Sequence, residues 1–180
     1  EKLSQLTTSE IYFVLRSMLL VFAGLGYKIA CVPFHMWSPD VYEGSPSSST
    51  FFFAIVPKLG IFVLLIRIFY TSFYGLIDNW RHLTVIIAII SILVGSFGGL
   101  EQRKLKSLLV YSTISHMGYS LIAFCSGTFE SVQLLFSYLI IYSFSGLCVW
   151  SIFTHHEVRK QTQKGSKIVP KKWLRLRSHL

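Results

Sequence analysis

The sequence predicts an all-α, polytopic membrane bundle of about five spans, the first of them broken near Pro33. Three observations carry that expectation. Apolar residues make up 52% of the 180 and charged residues only 14%, with a mean hydropathy of +0.55; a soluble domain of this length needs a larger polar shell. The apolar residues are gathered in long blocks, and about 20 such residues cross a bilayer as helix. The formal charge of +9 is also clustered, with eight of the 17 Lys and Arg in the last 22 residues and three more between Arg103 and Lys106. Clusters beside apolar blocks fit topogenic loops better than a basic binding face. A soluble enzyme is excluded, and no nucleic-acid partner is expected.

Residues 1–10 form a polar N-terminal segment without the basic and apolar regions of a cleavable signal. The bundle is expected over 11–155, with spans at 11–37, 50–73, 83–100, 105–124 and 132–153. The third, rich in Ile and Val, is the cleanest. The fourth carries Tyr111, Ser112, Thr113, Ser115 and His116 in its middle, so it belongs inside the bundle rather than against lipid. His155, His156 and Glu157 read as ordinary interface at the end of the fifth.

Residues 156–180 form a basic tail. With five spans, this tail and the 101–106 loop fall on one side, which the positive-inside rule makes the cytoplasm or matrix. The tail reads either as a solvated topogenic segment or as an interfacial one, with Trp173 at the headgroups and its cations on anionic lipid or an acidic subunit. Cys31, Cys125 and Cys148 are odd in number, widely spaced and set in apolar sequence, so they read as small buried hydrophobes.

Two lysines are out of place in this pattern. Lys58 is flanked by fourteen Leu, Ile, Phe and Val residues between Phe51 and Phe69. A central Lys costs about 3 kcal/mol on the insertion scale, and fourteen such neighbours return roughly 6 kcal/mol, so the span still inserts. Lys28 lies in a second apolar run. Snorkelling to the interface serves Arg67, near the end of its span, and is the alternative for Lys28 and Lys58; the favoured reading for those two, as ionisable residues deep in a span, is an ion path.

Pro33 follows Lys28 by five residues and Pro57 directly precedes Lys58. A proline inside a helix frees the carbonyl four residues earlier, here Ile29 and Phe53, and at membrane depth such a carbonyl needs water, a polar side chain or a cation. A lysine beside such a break can exchange protons with a hydrated pocket. His116, about ten residues or roughly 15 Å of helix beyond Lys106, reads either as a hydrogen-bonded packing residue or, in view of its polar neighbours, as a proton relay, the reading preferred here. His35, just past the expected break, is a weaker candidate of the same kind. There is no phosphate-binding loop, zinc motif or dinucleotide fingerprint, and no cofactor is expected in this chain.

At GYKIACVPFHMWSPDVYEGSP, residues 26–46, the sequence resembles the antiporter-like, proton-translocating membrane subunits of respiratory NADH:quinone oxidoreductase, complex I. Followed by FAIVPKLGIF, that stretch is most similar to the subunit-2 branch, in its mitochondrial form. Two further blocks, LEQRKLKSLLVYSTISHMGYSLIAF and LLFSYLIIYSFSGLCVW, are similar to the family's next helices. The likeness covers about residues 20–153.

The resemblance implies a multi-pass subunit of the mitochondrial inner membrane, its tail on the matrix side, working beside other membrane-arm subunits and lipid. NADH, FMN, iron–sulfur clusters and ubiquinone would belong to partner subunits. Lys28 would be the lysine of the broken helix, Lys58 the connecting lysine, and His116 and Lys106 groups of the later polar helix. The family's glutamate on an earlier helix and lysine on a second broken helix have no counterpart here. Either a companion chain supplies the front helices or the complex works without them. Two rivals stand beside this reading: a subunit of a cation/proton antiporter or membrane hydrogenase, and a truncated subunit that only packs the membrane arm.

Overall fold

The computed structural model describes residues 8–168, so the start of the N-terminal segment and the end of the basic tail, Trp173 included, lie outside the described residues. All regular structure among them is helical: α1 (Thr8–Ile29), α2 (Trp37–Gly44), α3 (Ser47–Thr71), a 3-10 turn (Tyr74–Leu76), α4 (Ile77–Leu100), α5 (Leu105–Cys125) and α6 (Phe129–Ile168). Five stretches are long and apolar enough to cross a membrane: Ile11–Ile29, Ser47–Thr71, Tyr74–Leu100, Leu105–Cys125 and Phe129–His156. The chain is an all-α polytopic bundle.

The first expected span, 11–37, is not one helix. α1 stops at Ile29 because Ala30 turns into the left-handed region, φ 63°. The last carbonyls of α1 are closed locally: Tyr27 O accepts from the Ala30 amide at 3.1 Å and from Trp37 Nε1 at 3.0 Å, and Gly26 O accepts from the Cys31 amide at 3.1 Å. The Val32 amide donates to Ser91 Oγ of α4 at 3.0 Å, which anchors the break to a neighbouring helix. Pro33 follows a cis peptide in this linker. It therefore does not free the Ile29 carbonyl from within a helix, since the helix has already ended. The residue before a proline is also biased away from helical geometry, which adds to the break that Ala30 has already made.

The third span begins well before residue 83. Asn79, Arg81 and His82 lie before the expected 83–100 span, yet they occupy the exposed side of the first turns of α4 while Trp80 is fully buried and donates to Phe73 O at 3.2 Å. Around Trp80 an aromatic core forms from Phe69, Tyr70 and Phe124, and Tyr70 Oη donates to Phe124 O at 2.8 Å.

α5 is the most enclosed span, half of it buried, as its polar middle requires. Glycines set its approach to α4. A Cβ on Gly95 would fall 2.7 Å from the Ser115 amide, and one on Gly118 would fall 2.9 Å from Ala88 O. The cysteines divide: Cys31 and Cys125 are buried, but Cys148 is exposed on α6, beside a groove it shares with Ser48 and Phe51 of α3.

Candidate functional site

Pro57 stands inside α3, which continues through it without interruption. The carbonyl it leaves without an amide belongs to Phe53, and the hydroxyl of Tyr42, on α2, donates to that oxygen at 3.2 Å. One residue on, Ala54 O accepts from the Tyr142 hydroxyl of α6, also at 3.2 Å. The turn that precedes Lys58 is thus held from two sides by tyrosine hydroxyls, which meets the expectation that a freed carbonyl at membrane depth finds a polar partner.

Lys58 itself is only 2% exposed. Among the described residues no carboxylate is paired with it. An ammonium in such surroundings is costly unless something compensates it. Its notable neighbour is another ionisable group, His116 of α5, which lies within electrostatic reach of Lys58. These two expected site residues are therefore brought together, although 58 positions separate them in the chain.

His116 Nδ1 lies 2.7 Å from the Tyr138 hydroxyl, and its ring packs against that of Tyr142 with centroids 5.4 Å apart. A cavity of about 160 Å³ opens beside this group, its polar lining drawn from His116, Ser112, Thr113, Tyr138 and Ser145. That volume holds several water molecules and their hydrogen-bond partners. The arrangement places an imidazole and a phenol hydroxyl where they can exchange protons with water in the cavity.

Lys28 is placed differently. It sits in the last turn of α1, exposed on this chain, in an apolar groove of about 370 Å³ shared with Trp37, Tyr42, Phe53 and Pro57. Pro57 and Tyr42 are thus common to the environments of both lysines. His35 lies in the linker with its Nδ1 buried and without a partner among the described residues.

Lys106 does not reach His116. Its Nζ donates to Ser45 O, just past the end of α2, at 3.0 Å and stands 6.0 Å from the Phe153 ring. Beside it Glu43 pairs with Lys104 and accepts from Ser107 Oγ at 3.1 Å. The Lys104 ammonium, followed by Ser107, holds the Glu43 carboxyl below the usual carboxylate range. The start of α5 is in this way clamped to the end of α2.

Sequence reasoning passed over Tyr42, Glu43, Ser91, Tyr138 and Tyr142. Tyr42 and Glu43 lie in the quoted VYEGSP stretch, but neither is a charge inside a span, the signal that singled out the lysines. Ser91, Tyr138 and Tyr142 look like ordinary residues of apolar helices.

The chain matches the family described as NADH:quinone oxidoreductase/Mrp antiporter, transmembrane, over residues 1–169. NADH-quinone oxidoreductase subunit N of Pelagibacter ubique is 40% identical over 149 residues, 83% of this chain and 32% of that one. Subunit N of Rhodospirillum rubrum is 40% identical over 77% of this chain and 28% of its own length. Subunit N of Methylobacterium nodulans is 45% identical over 69% and 26% respectively. Among solved structures, a chain of respiratory complex I from Thermus thermophilus with bound aureothin superposes with a TM-score of 0.62 and 32% identity, covering 74% of this chain and 28% of that one. The chain spans about a third or less of the length of the curated relatives it matches.

Proposed function

Because the chain belongs to the NADH:quinone oxidoreductase/Mrp antiporter transmembrane family, we propose that it serves proton translocation in the membrane arm of a complex I. Within that family we place it in the subunit-2 branch, the counterpart of bacterial subunit N, in the mitochondrial inner membrane. The observation that carries the reading is Lys58, buried in the middle of a span without a carboxylate partner among the described residues and within electrostatic reach of His116. Two cations so placed repel, so a proton arriving on one favours release from the other.

Lys28, in its groove by the broken helix, would deliver or receive protons on the far side of Pro57. Lys106 would hold the end of α2 rather than carry protons itself. Other membrane-arm subunits and lipid are the partners. NADH, FMN, iron–sulfur clusters and ubiquinone act in other subunits of the complex. The basic 101–106 loop and tail favour the matrix side for both.

The test is NADH-driven proton pumping by the assembled complex reconstituted in vesicles. Lys58→Ala and Lys28→Ala should each impair pumping while the complex still assembles. Wild-type pumping by both assembled variants would overturn the reading. The family also embraces Mrp antiporters, which supports a second reading as a cation/proton antiporter subunit. Sodium-dependent transport by a complex lacking NADH activity would favour it.

A further inference from the structure

The short helix that follows the break after Lys28 is tied by a tyrosine hydroxyl to the turn that precedes Lys58. We infer that Tyr42 is a positioning residue whose hydroxyl stands in for the amide missing at Pro57, so that movement of the broken-helix segment is transmitted to the backbone beneath Lys58. The inference rests on the proton-translocating role proposed above for the two lysines.

Its parts are few. Pro57 has no amide to offer Phe53 O, and Tyr42 Oη fills that place at 3.2 Å. Tyr42 is rigidly held, 2% exposed, its ring edge-on to Trp37 with centroids 6.2 Å apart. Trp37 in turn donates to Tyr27 O in the last turn of α1 and stacks on the Tyr27 ring at 5.5 Å. A continuous path therefore runs from the residue next to Lys28, through Trp37 and Tyr42, to the carbonyl five positions before Lys58. Tyr142, holding Ala54 O from α6, fixes the other side of the same turn and packs on His116. Burial pushes the Tyr42 phenol up to about 12, so it remains a donor throughout the physiological range.

The geometry explains why a proline is useful here. In an ordinary helix the Phe53 carbonyl would already hold the amide at position 57, and a hydroxyl from α2 could add only a second hydrogen bond, as Tyr142 does at Ala54 O. The proline leaves the Tyr42 hydroxyl as the donor on which that oxygen depends, at the point where the two lysine-bearing elements share a groove.

The experiment is a rescue in the assembled complex, using Tyr42→Phe, Pro57→Ala and the double variant, with Lys58→Ala as reference. Pumping and amide exchange across residues 50–61 are both read. Tyr42→Phe should lower the turnover of coupled pumping about three- to tenfold, the effect of one lost hydrogen bond, with the KM for NADH unchanged. It should also speed exchange in that segment. In the double variant the amide at position 57 can meet the Phe53 carbonyl, so exchange should return to the rate of Pro57→Ala alone and adding Tyr42→Phe should cause no further loss of pumping.

If the double variant is as fast-exchanging as Tyr42→Phe, the hydroxyl does not replace the amide and the inference fails. If exchange is rescued but Tyr42→Phe pumps like wild type while Lys58→Ala does not, the tie exists without transmitting anything, and the inference again fails while the proposed function stands. Normal pumping by Lys58→Ala would remove the proposed function itself, with the exchange rescue still reporting whether the hydroxyl replaces the amide.

Discussion

His116 Nδ1 and the Tyr138 hydroxyl lie 2.7 Å apart, between α5 and α6, so the orientation of the imidazole is set by a residue of the next helix. With Nδ1 engaged, Nε2 is the ring nitrogen left to exchange protons elsewhere. Tyr138→Phe removes the partner but keeps the ring. A single hydrogen bond beside a cavity that can hold several waters contributes about 1 kcal/mol, which corresponds to about a fivefold change in rate. Pumping by the assembled complex should fall by that order, and His116→Ala should fall further. Equal pumping by wild type and Tyr138→Phe would show that the pair only packs.

Glu43 gives a dependence on pH with a definite sign. Lys104 foremost, then Ser107, hold its carboxyl below the usual range, so its proton binds more weakly in the folded protein than in the unfolded chain. Its contribution to closing α2 onto α5 is complete above the ordinary carboxylate value and is lost as pH falls through the lower, folded one. The pair is exposed on both sides, so the effect is local and small. Amide exchange across residues 37–46, corrected for intrinsic rates, should be flat from about pH 8 to 5 and accelerate below about pH 4. Glu43→Gln keeps an acceptor for Ser107 but cannot titrate, and should abolish the acid step. An acid step that survives in Glu43→Gln would assign it to another group.

How much of this was readable in the chain depended on distance along it. Span existence follows from local hydropathy, and the polar middle of α5 foretold its burial. The break near Pro33 was visible because Gly, Lys and Pro interrupt an apolar run, but its start at Ala30 was not, since an alanine with φ 63° leaves no mark in sequence. The start of α4 was hidden by polar residues on the exposed side of its first turns. Lys58 and His116 could each be singled out as ionisable groups in apolar surroundings. That they lie within electrostatic reach of one another could not, nor could the contacts Val32–Ser91 and Ala54–Tyr142, which join residues 59 and 88 positions apart. Such contacts are set by helix packing, which no local pattern encodes.

The packing of α4 on α5 makes a prediction that separates glycines by position. A Cβ at Gly118 would lie 2.7 Å from Ile92 Cγ1 and 2.9 Å from Ala88 O; at Gly95 it would lie 2.3 Å from Ser115 Oγ. The backbone contacts cannot be relieved by a side-chain rotation alone, so Gly95→Ala and Gly118→Ala should each destabilise the chain by about 1–3 kcal/mol. Gly24 has nothing within 4 Å of the same added atom, and Gly24→Ala should be neutral or slightly stabilising through helix propensity. Thermal denaturation of the isolated complex, followed by loss of this subunit, distinguishes them. Comparable effects at Gly24 and Gly118 would mean that the α4–α5 approach is looser than described.

Lys58 separates stability from activity. At 2% exposure and with no carboxylate paired among the described residues, its ammonium is a cost to folding that packing must offset. Exchanging an ill-compensated buried charge for an apolar side chain of similar length is commonly neutral or stabilising. Lys58→Met should therefore leave assembly intact and hold or raise the melting temperature of the complex, while coupled proton pumping is lost. Lys58→Arg, which keeps a charge that does not titrate in this range, should also lose pumping but without the gain in stability. A Lys58→Met complex that melts earlier than wild type would indicate that the amine has a compensating partner in the full assembly. A stable Lys58→Met complex that still pumps would mean that the buried amine is carried for packing alone.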